Sequence, residues 1–102
     1  MSKCRVEILT PAANDINQIA QYHLLSVGPS SAEKITDKLL DSIEGLSDYP
    51  LMGTEHPDPA LRKRGYRKLV CGEYISVYRI IDDAVLIYRV VHDSTDYPRL
   101  FK

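Results

Sequence analysis

Residues able to do chemistry crowd the last forty positions of the chain. A basic run, Arg62-Lys63-Arg64-Gly65-Tyr66-Arg67-Lys68, leads into two apolar runs, Tyr74–Ile81 and Val85–Val91, joined by the acidic pair Asp82-Asp83. The second apolar run delivers His92, followed by Asp-Ser-Thr-Asp-Tyr-Pro. Cations at one rim of a strand meander and an imidazole at the other would display a polar site on a rigid sheet. Such cations can hold a phosphate backbone or an acidic protein surface. On residue type alone, a lone histidine at a strand end is more often a structural hydrogen-bonding group, and a basic run a solvated rim.

The bulk numbers bound the rest. The 102 residues make one domain spanning residues 1–102, with no room for a second core. The first residues alternate charged with apolar groups and lack the apolar stretch of a secretion signal, and no run approaches a membrane span. A cytoplasmic protein is expected, with no membrane partner. Cys4 and Cys71 form no metal-ligand spacing, so they read as reduced, half-buried strand thiols; no metal and no cofactor is expected. The formal net charge of −1 conceals an asymmetry: through Ala60, nine carboxylates oppose four cations, and from Leu61 onward nine cations oppose five carboxylates.

The elements that must position these groups follow from periodicity. Cys4–Leu9 alternates as a short strand. Thr10-Pro11 offers a hydroxyl cap and a proline at the start of a helix striped by Ala12, Ile16, Ile19, Ala20, Leu24 and Val27, which Gly28-Pro29 ends. Ser30 and Glu33 have the spacing of a capping box for a second helix striped by Ala32, Ile35, Leu39, Ile43 and Leu46. Leu51–Leu61 has no period and reads as a loop. Strands are expected at about Tyr66–Cys71, Tyr74–Ile81 and Ala84–Val91, with two-residue turns at Gly72-Glu73 and Asp82-Asp83. The order β-α-α-β-β-β predicts an α+β fold whose helical hairpin covers one face of a mostly antiparallel four-stranded sheet.

That fold raises a difficulty. Ile75 and Val77 should face away from Tyr74, Tyr78 and Ile80, and Leu86, Tyr88 and Val90 away from Val85, Ile87 and Val91. Both sheet faces are then apolar, while two helices cover only one, so a partner chain is expected on the other. Tyr74, Tyr78 and Tyr88 read as core and cross-strand packing. Arg79 and Arg89 read as strand residues paired with helix carboxylates or with the partner chain, the structural ion pair being favoured, and His23 and His56 as surface or helix-face groups.

Taken as an ordered set, several phrases resemble the RelE/ParE superfamily of toxins from type II toxin–antitoxin modules. They are Tyr49-Pro-Leu-Met-Gly53, Leu61-Arg62, Tyr66-Arg67-Lys68-Leu-Val-Cys-Gly72-Glu-Tyr74, Val77-Tyr78-Arg79-Ile80, Arg89-Val-Val-His92 and Asp96-Tyr97-Pro98. The helical hairpin matches in length and place, so the likeness covers nearly the whole chain. The resemblance implies a growth-inhibiting toxin neutralised by a cognate antitoxin that wraps it, in a toxin–antitoxin hetero-oligomer or as a homo-oligomer. Its target would be DNA gyrase in the ParE-like branch, or ribosome-bound messenger RNA in the RelE-like branch.

RNA cleavage needs cations for the phosphate and a group to move a proton. On the RelE-like reading, His92, Lys68, Arg67 and Tyr97 supply those functions. Two departures weigh against it. Ile75 stands where many RNA-cutting relatives place an arginine, and Thr95 stands where the tail often carries another. A sequence pI of about 6.3 is also low for invading an RNA-rich ribosome. The ParE-like branch is therefore favoured, with Arg62, Lys63, Arg64, Ile75, Val77 and Arg79 as the target- or antitoxin-binding set. A third reading is an inactive member that keeps only antitoxin binding.

Overall fold

The computed structural model describes residues 3–101; Met1, Ser2 and Lys102, the last of these among the C-terminal cations, lie outside the described residues. The chain runs β1 (Arg5–Ile8), α1 (Thr10–Ser26), α2 (Pro29–Glu44), a 3-10 turn (Gly45–Ser47), β2 (Thr54–Glu55), α3 (Pro59–Lys63), β3 (Arg67–Cys71), β4 (Tyr74–Ile81), β5 (Ala84–His92) and a terminal 3-10 turn (Tyr97–Phe101). The sheet has five strands in the order β1-β5-β4-β3-β2, with β1 parallel to β5 and every other pairing antiparallel. The expected class and helical hairpin stand; the strand count rises from four to five. Both additions fall in the segment read as a loop, where β2 and α3 are too short for a period to show.

The hairpin turns form where expected. Gly72 has φ +59° and Asp82 φ +56°, the left-handed geometry that glycine and a short polar side chain such as aspartate tolerate. The helix starts differ from the sequence reading. α1 is preceded by Leu9 and α2 by Gly28, and neither end has a side-chain cap, so the Ser30/Glu33 capping box does not form. Ser31 instead hydrogen-bonds His23 at 3.0 Å, which ties the start of α2 back onto α1.

Two apolar clusters sandwich the sheet. On one face Ala12 and Ile16 of α1, Leu39 and Ile43 of α2, and Leu46 pack on Leu69, Tyr74, Tyr78, Val85, Ile87 and Val90. On the other, Leu61 of α3, Tyr66 and Tyr97 cover Ile75, Val77 and Val91, with Tyr88 and Phe101 at the margin. The second face is thus closed by α3 and the terminal turn, and the expectation that a partner chain shields it is overturned. Ile75 is 6 % exposed and Val77 0 %, so neither is offered to a partner while this cover is in place.

A bulge explains a second correction. Val77 stands opposite Arg89 and Tyr78 opposite Ile87, which leaves Tyr88 as an extra residue on β5. One extra residue inverts the alternation, so Val90 joins Val85 and Ile87 beneath the helices, not Leu86 and Tyr88. The same shift delivers His92 beside Tyr74.

Candidate functional site

Asp15, one and a half turns into α1, fixes the end of β5 against the helix. Its carboxylate accepts from Arg89 Nε at 2.7 Å and Nη2 at 2.9 Å, and from the backbone N–H of Val90 at 2.9 Å. A bidentate fork of this kind is both strong and directional. These hydrogen bonds raise the pKa of the already basic Arg89 guanidinium. The expectation that Arg89 pairs with a helix carboxylate is met. Arg79 differs: its guanidinium lies 5.3 Å from the Tyr66 ring centroid and 6.0 Å from that of Tyr88, a stacked cation at the edge of the second cluster.

Beyond that ion pair a cavity of about 390 Å³ opens between α1 and the β4–β5 rim. Asp15, Gln18, Ile19, Tyr22 and His23 line it from one helical stripe, and Glu73, Tyr74, Val90 and His92 from the sheet. His23 bridges Ser31 Oγ and the Tyr74 hydroxyl, each at 3.0 Å. Burial, with the Glu73 charge adding to it, raises the Tyr74 phenol above its ordinary pKa. His23 is therefore no free surface group. It joins α1, α2 and β4, a role invisible in sequence because Tyr74 lies 51 positions away.

His92 is the member of the cavity that the sequence singled out. The Ser94 N–H points at its Nδ1 at 3.1 Å, and Nε2 faces the Glu73 carboxylate at 3.7 Å. Asp93 Oδ1 lies 3.2 Å from that same Nδ1. Among the described residues, no lysine or arginine lines the cavity.

The other three acid–base candidates are elsewhere. Arg67 donates from Nη2 to the carbonyls of Gly53 at 2.7 Å and Leu51 at 3.4 Å, while Tyr78 donates to the Pro50 carbonyl at 2.8 Å. Both side chains clamp the 50–53 loop. Gly53 packs so closely that a Cβ there would strike the Lys68 carbonyl and lie 2.7 Å from the Tyr78 hydroxyl. Lys68 lines a separate groove with Asp41, Ser42, Met52 and Val70.

Tyr97 is buried in the second cluster, where its hydroxyl lies 2.6 Å from His56 Nε2. The Asp58 N–H donates to His56 Nδ1 at 3.0 Å, which puts the proton on Nε2 and makes Tyr97 the acceptor. Burial lowers the His56 pKa and raises that of Tyr97. His56, expected at the surface, is 2 % exposed.

The basic run divides by element. Arg62 and Lys63 occupy the last turn of α3 and Arg64 follows it, all three exposed. Arg64 donates to the Phe101 carbonyl at 2.6 Å and so fastens the terminal turn. Among the described residues no group of three or more His, Cys, Asp or Glu could hold a metal, and no helix is long and apolar enough to cross a membrane.

Comparison with known proteins places this arrangement. No curated protein matches the sequence. Among solved structures, the chain is similar to one of the chromosomal ParDE toxin–antitoxin system of P. aeruginosa, with a TM-score of 0.76 at 18 % identity over 88 % of this chain and 96 % of that one. It is also similar to a chain of the RelBE2 toxin–antitoxin complex of Mycobacterium tuberculosis, with a TM-score of 0.65 at 26 % identity over 88 % of this chain and 98 % of that one. The family model described as "ParE toxin of type II toxin-antitoxin system, parDE" matches residues 6–97. With nearly the entire domain inside that match, the chain belongs to the ParE toxin family of type II toxin–antitoxin systems.

Proposed function

We propose that this toxin arrests growth by binding and poisoning DNA gyrase, cutting no nucleic acid itself, and that a cognate antitoxin encoded beside it neutralises it in the cytoplasm. The surroundings of His92 carry the reading. Phosphodiester cleavage needs cations around the phosphate and a proton-transfer group beside them. His92 instead sits between the Glu73 and Asp93 carboxylates, at 3.7 and 3.2 Å, in a cavity lined by no lysine or arginine among the described residues. Arg67 is committed to loop carbonyls and Tyr97 is buried against His56. A phosphate at His92 would meet negative charge. The exposed cations of α3 are better placed to meet an acidic surface than to perform a reaction.

Expressed alone, the chain should produce DNA breaks and a DNA-damage response while translated transcripts stay intact. Co-expression with the product of the adjacent reading frame should relieve the arrest. With purified gyrase and plasmid DNA, the full chain should trap cleaved DNA. Site-specific cutting of messenger RNA within minutes of induction, with gyrase unaffected, would replace this reading with the ribonuclease one.

A further inference from the structure

The cavity beside α1 has a chemistry that the gyrase reading does not use. Four aromatic rings follow one another along it, with centroid separations of 5.7 Å for Tyr22–His23, 6.1 Å for His23–Tyr74 and 5.5 Å for Tyr74–His92. The faces of the two tyrosine rings among them carry negative potential and attract cations. The wall is fixed before any ligand arrives, since Ser31 and Tyr74 hold His23 at 3.0 Å each and Ser94 holds His92 at 2.8 Å.

Charge points the same way. The Glu73 carboxylate stands at the rim, its side chain 79 % exposed, with His92 Nε2 at 3.7 Å. Asp15 is already matched by Arg89. Among the described residues, no lysine or arginine competes from the lining. An anion entering here would meet a carboxylate. A cation would find π faces, a carboxylate and acceptor oxygens together.

We propose that this cavity is a recognition pocket for an arginine side chain presented by a polypeptide partner. A guanidinium suits it better than an ammonium because it is planar, weakly hydrated, able to stack on a ring and able to fork onto a carboxylate at the same time. The inference goes beyond the gyrase reading and stands whether or not gyrase is the target.

The test is an NMR titration of the full chain with acetyl-Ala-Arg-Ala-amide, compared with the peptides carrying citrulline or lysine at the centre and with spermidine. Saturable shifts are expected at Gln18, Tyr22, Glu73 and Tyr74, with the citrulline peptide binding about tenfold more weakly because it is uncharged. Glu73→Gln changes an exposed side chain and should leave the free spectrum native while weakening the arginine peptide by about tenfold; Tyr22→Ala should weaken it as well. Absent or non-saturating shifts overturn the proposal, as does equal binding of citrulline or an unchanged affinity in Glu73→Gln. Tighter binding of the lysine peptide overturns the guanidinium assignment. Tighter binding of spermidine overturns the polypeptide one.

Discussion

Asp15 commits both of its carboxylate oxygens, one to Arg89 alone and one to Arg89 and the Val90 amide together. The Asp15 side chain is 11 % exposed and that of Arg89 29 %, so water screens the pair only in part. Asp15→Asn keeps the shape and removes the charge. It should cost about 1.5–3 kcal/mol, the range for a hydrogen bond to a charged group, taken in place of the larger figure for a fully buried pair. Urea unfolding measures it, and an unchanged midpoint would show the bidentate contact to be energetically idle. His56 supports a prediction about pH. Its folded-state pKa lies below the ordinary 6.5, chiefly because burial disfavours the imidazolium. The unfolded chain therefore binds the extra proton first as the pH falls. Stability should be flat above pH 6.5 with respect to this group and decline as the pH drops below it. His56→Asn should flatten that decline when urea midpoints are compared at pH 7.5 and 5; an equally steep loss in the variant would assign the effect to another group.

At the scale of elements, the 50–53 loop shows how a segment without periodicity acquires one conformation. Arg67 and Tyr78 each bind carbonyls of this loop, and Gly53 lets it pass against β3. Tyr49, Leu51 and Met52 are thereby held outward, each about half exposed or more. Arg67→Ala should release the loop, read as faster amide hydrogen exchange at residues 51–53 and as early proteolysis there, with the sheet core still protected. Protection equal to the parent chain would mean that Tyr78 alone suffices. The long apolar runs of β4 and β5 and the stripes of α1 and α2 were legible because periodicity over eight or more residues reports burial directly. β2 has two residues and α3 five, too few for a period. The signal for α3 was present nonetheless: Asp58-Pro59 is an acid before a first-turn proline, and the Asp58 carboxylate does accept from Ala60 and Leu61. The bulge at Tyr88 had no local mark. The site was less readable than the fold, since the Asp15–Arg89 and His23–Tyr74 contacts join residues 74 and 51 positions apart. His92 was legible as a strand-end imidazole, but not the carboxylates that surround it.

Charge is divided along the chain, with nine carboxylates against four cations through Ala60 and nine cations against five carboxylates after it. Because α3 and the terminal turn already close the second sheet face, a partner has no fold to complete there. Its recognition must use what remains at the surface, and the cations of α3 are prominent in that. Arg62 and Lys63 both point to solvent from the end of a helix, where positive charge also complements the helix dipole. Reversing both, Arg62→Glu with Lys63→Glu, should leave the fold intact, since neither side chain is part of an apolar cluster. If these residues steer the toxin to an acidic target surface, the association rate with gyrase should fall by about tenfold or more at low ionic strength. The gap between parent and variant should close as salt shortens the Debye length from roughly 10 Å at 0.1 M to roughly 3 Å at 1 M. Stopped-flow or surface-binding measurements across that range decide the matter. A deficit that persists at high salt would mean that the two side chains make direct contacts, and no deficit at any salt would move the target-binding surface away from α3.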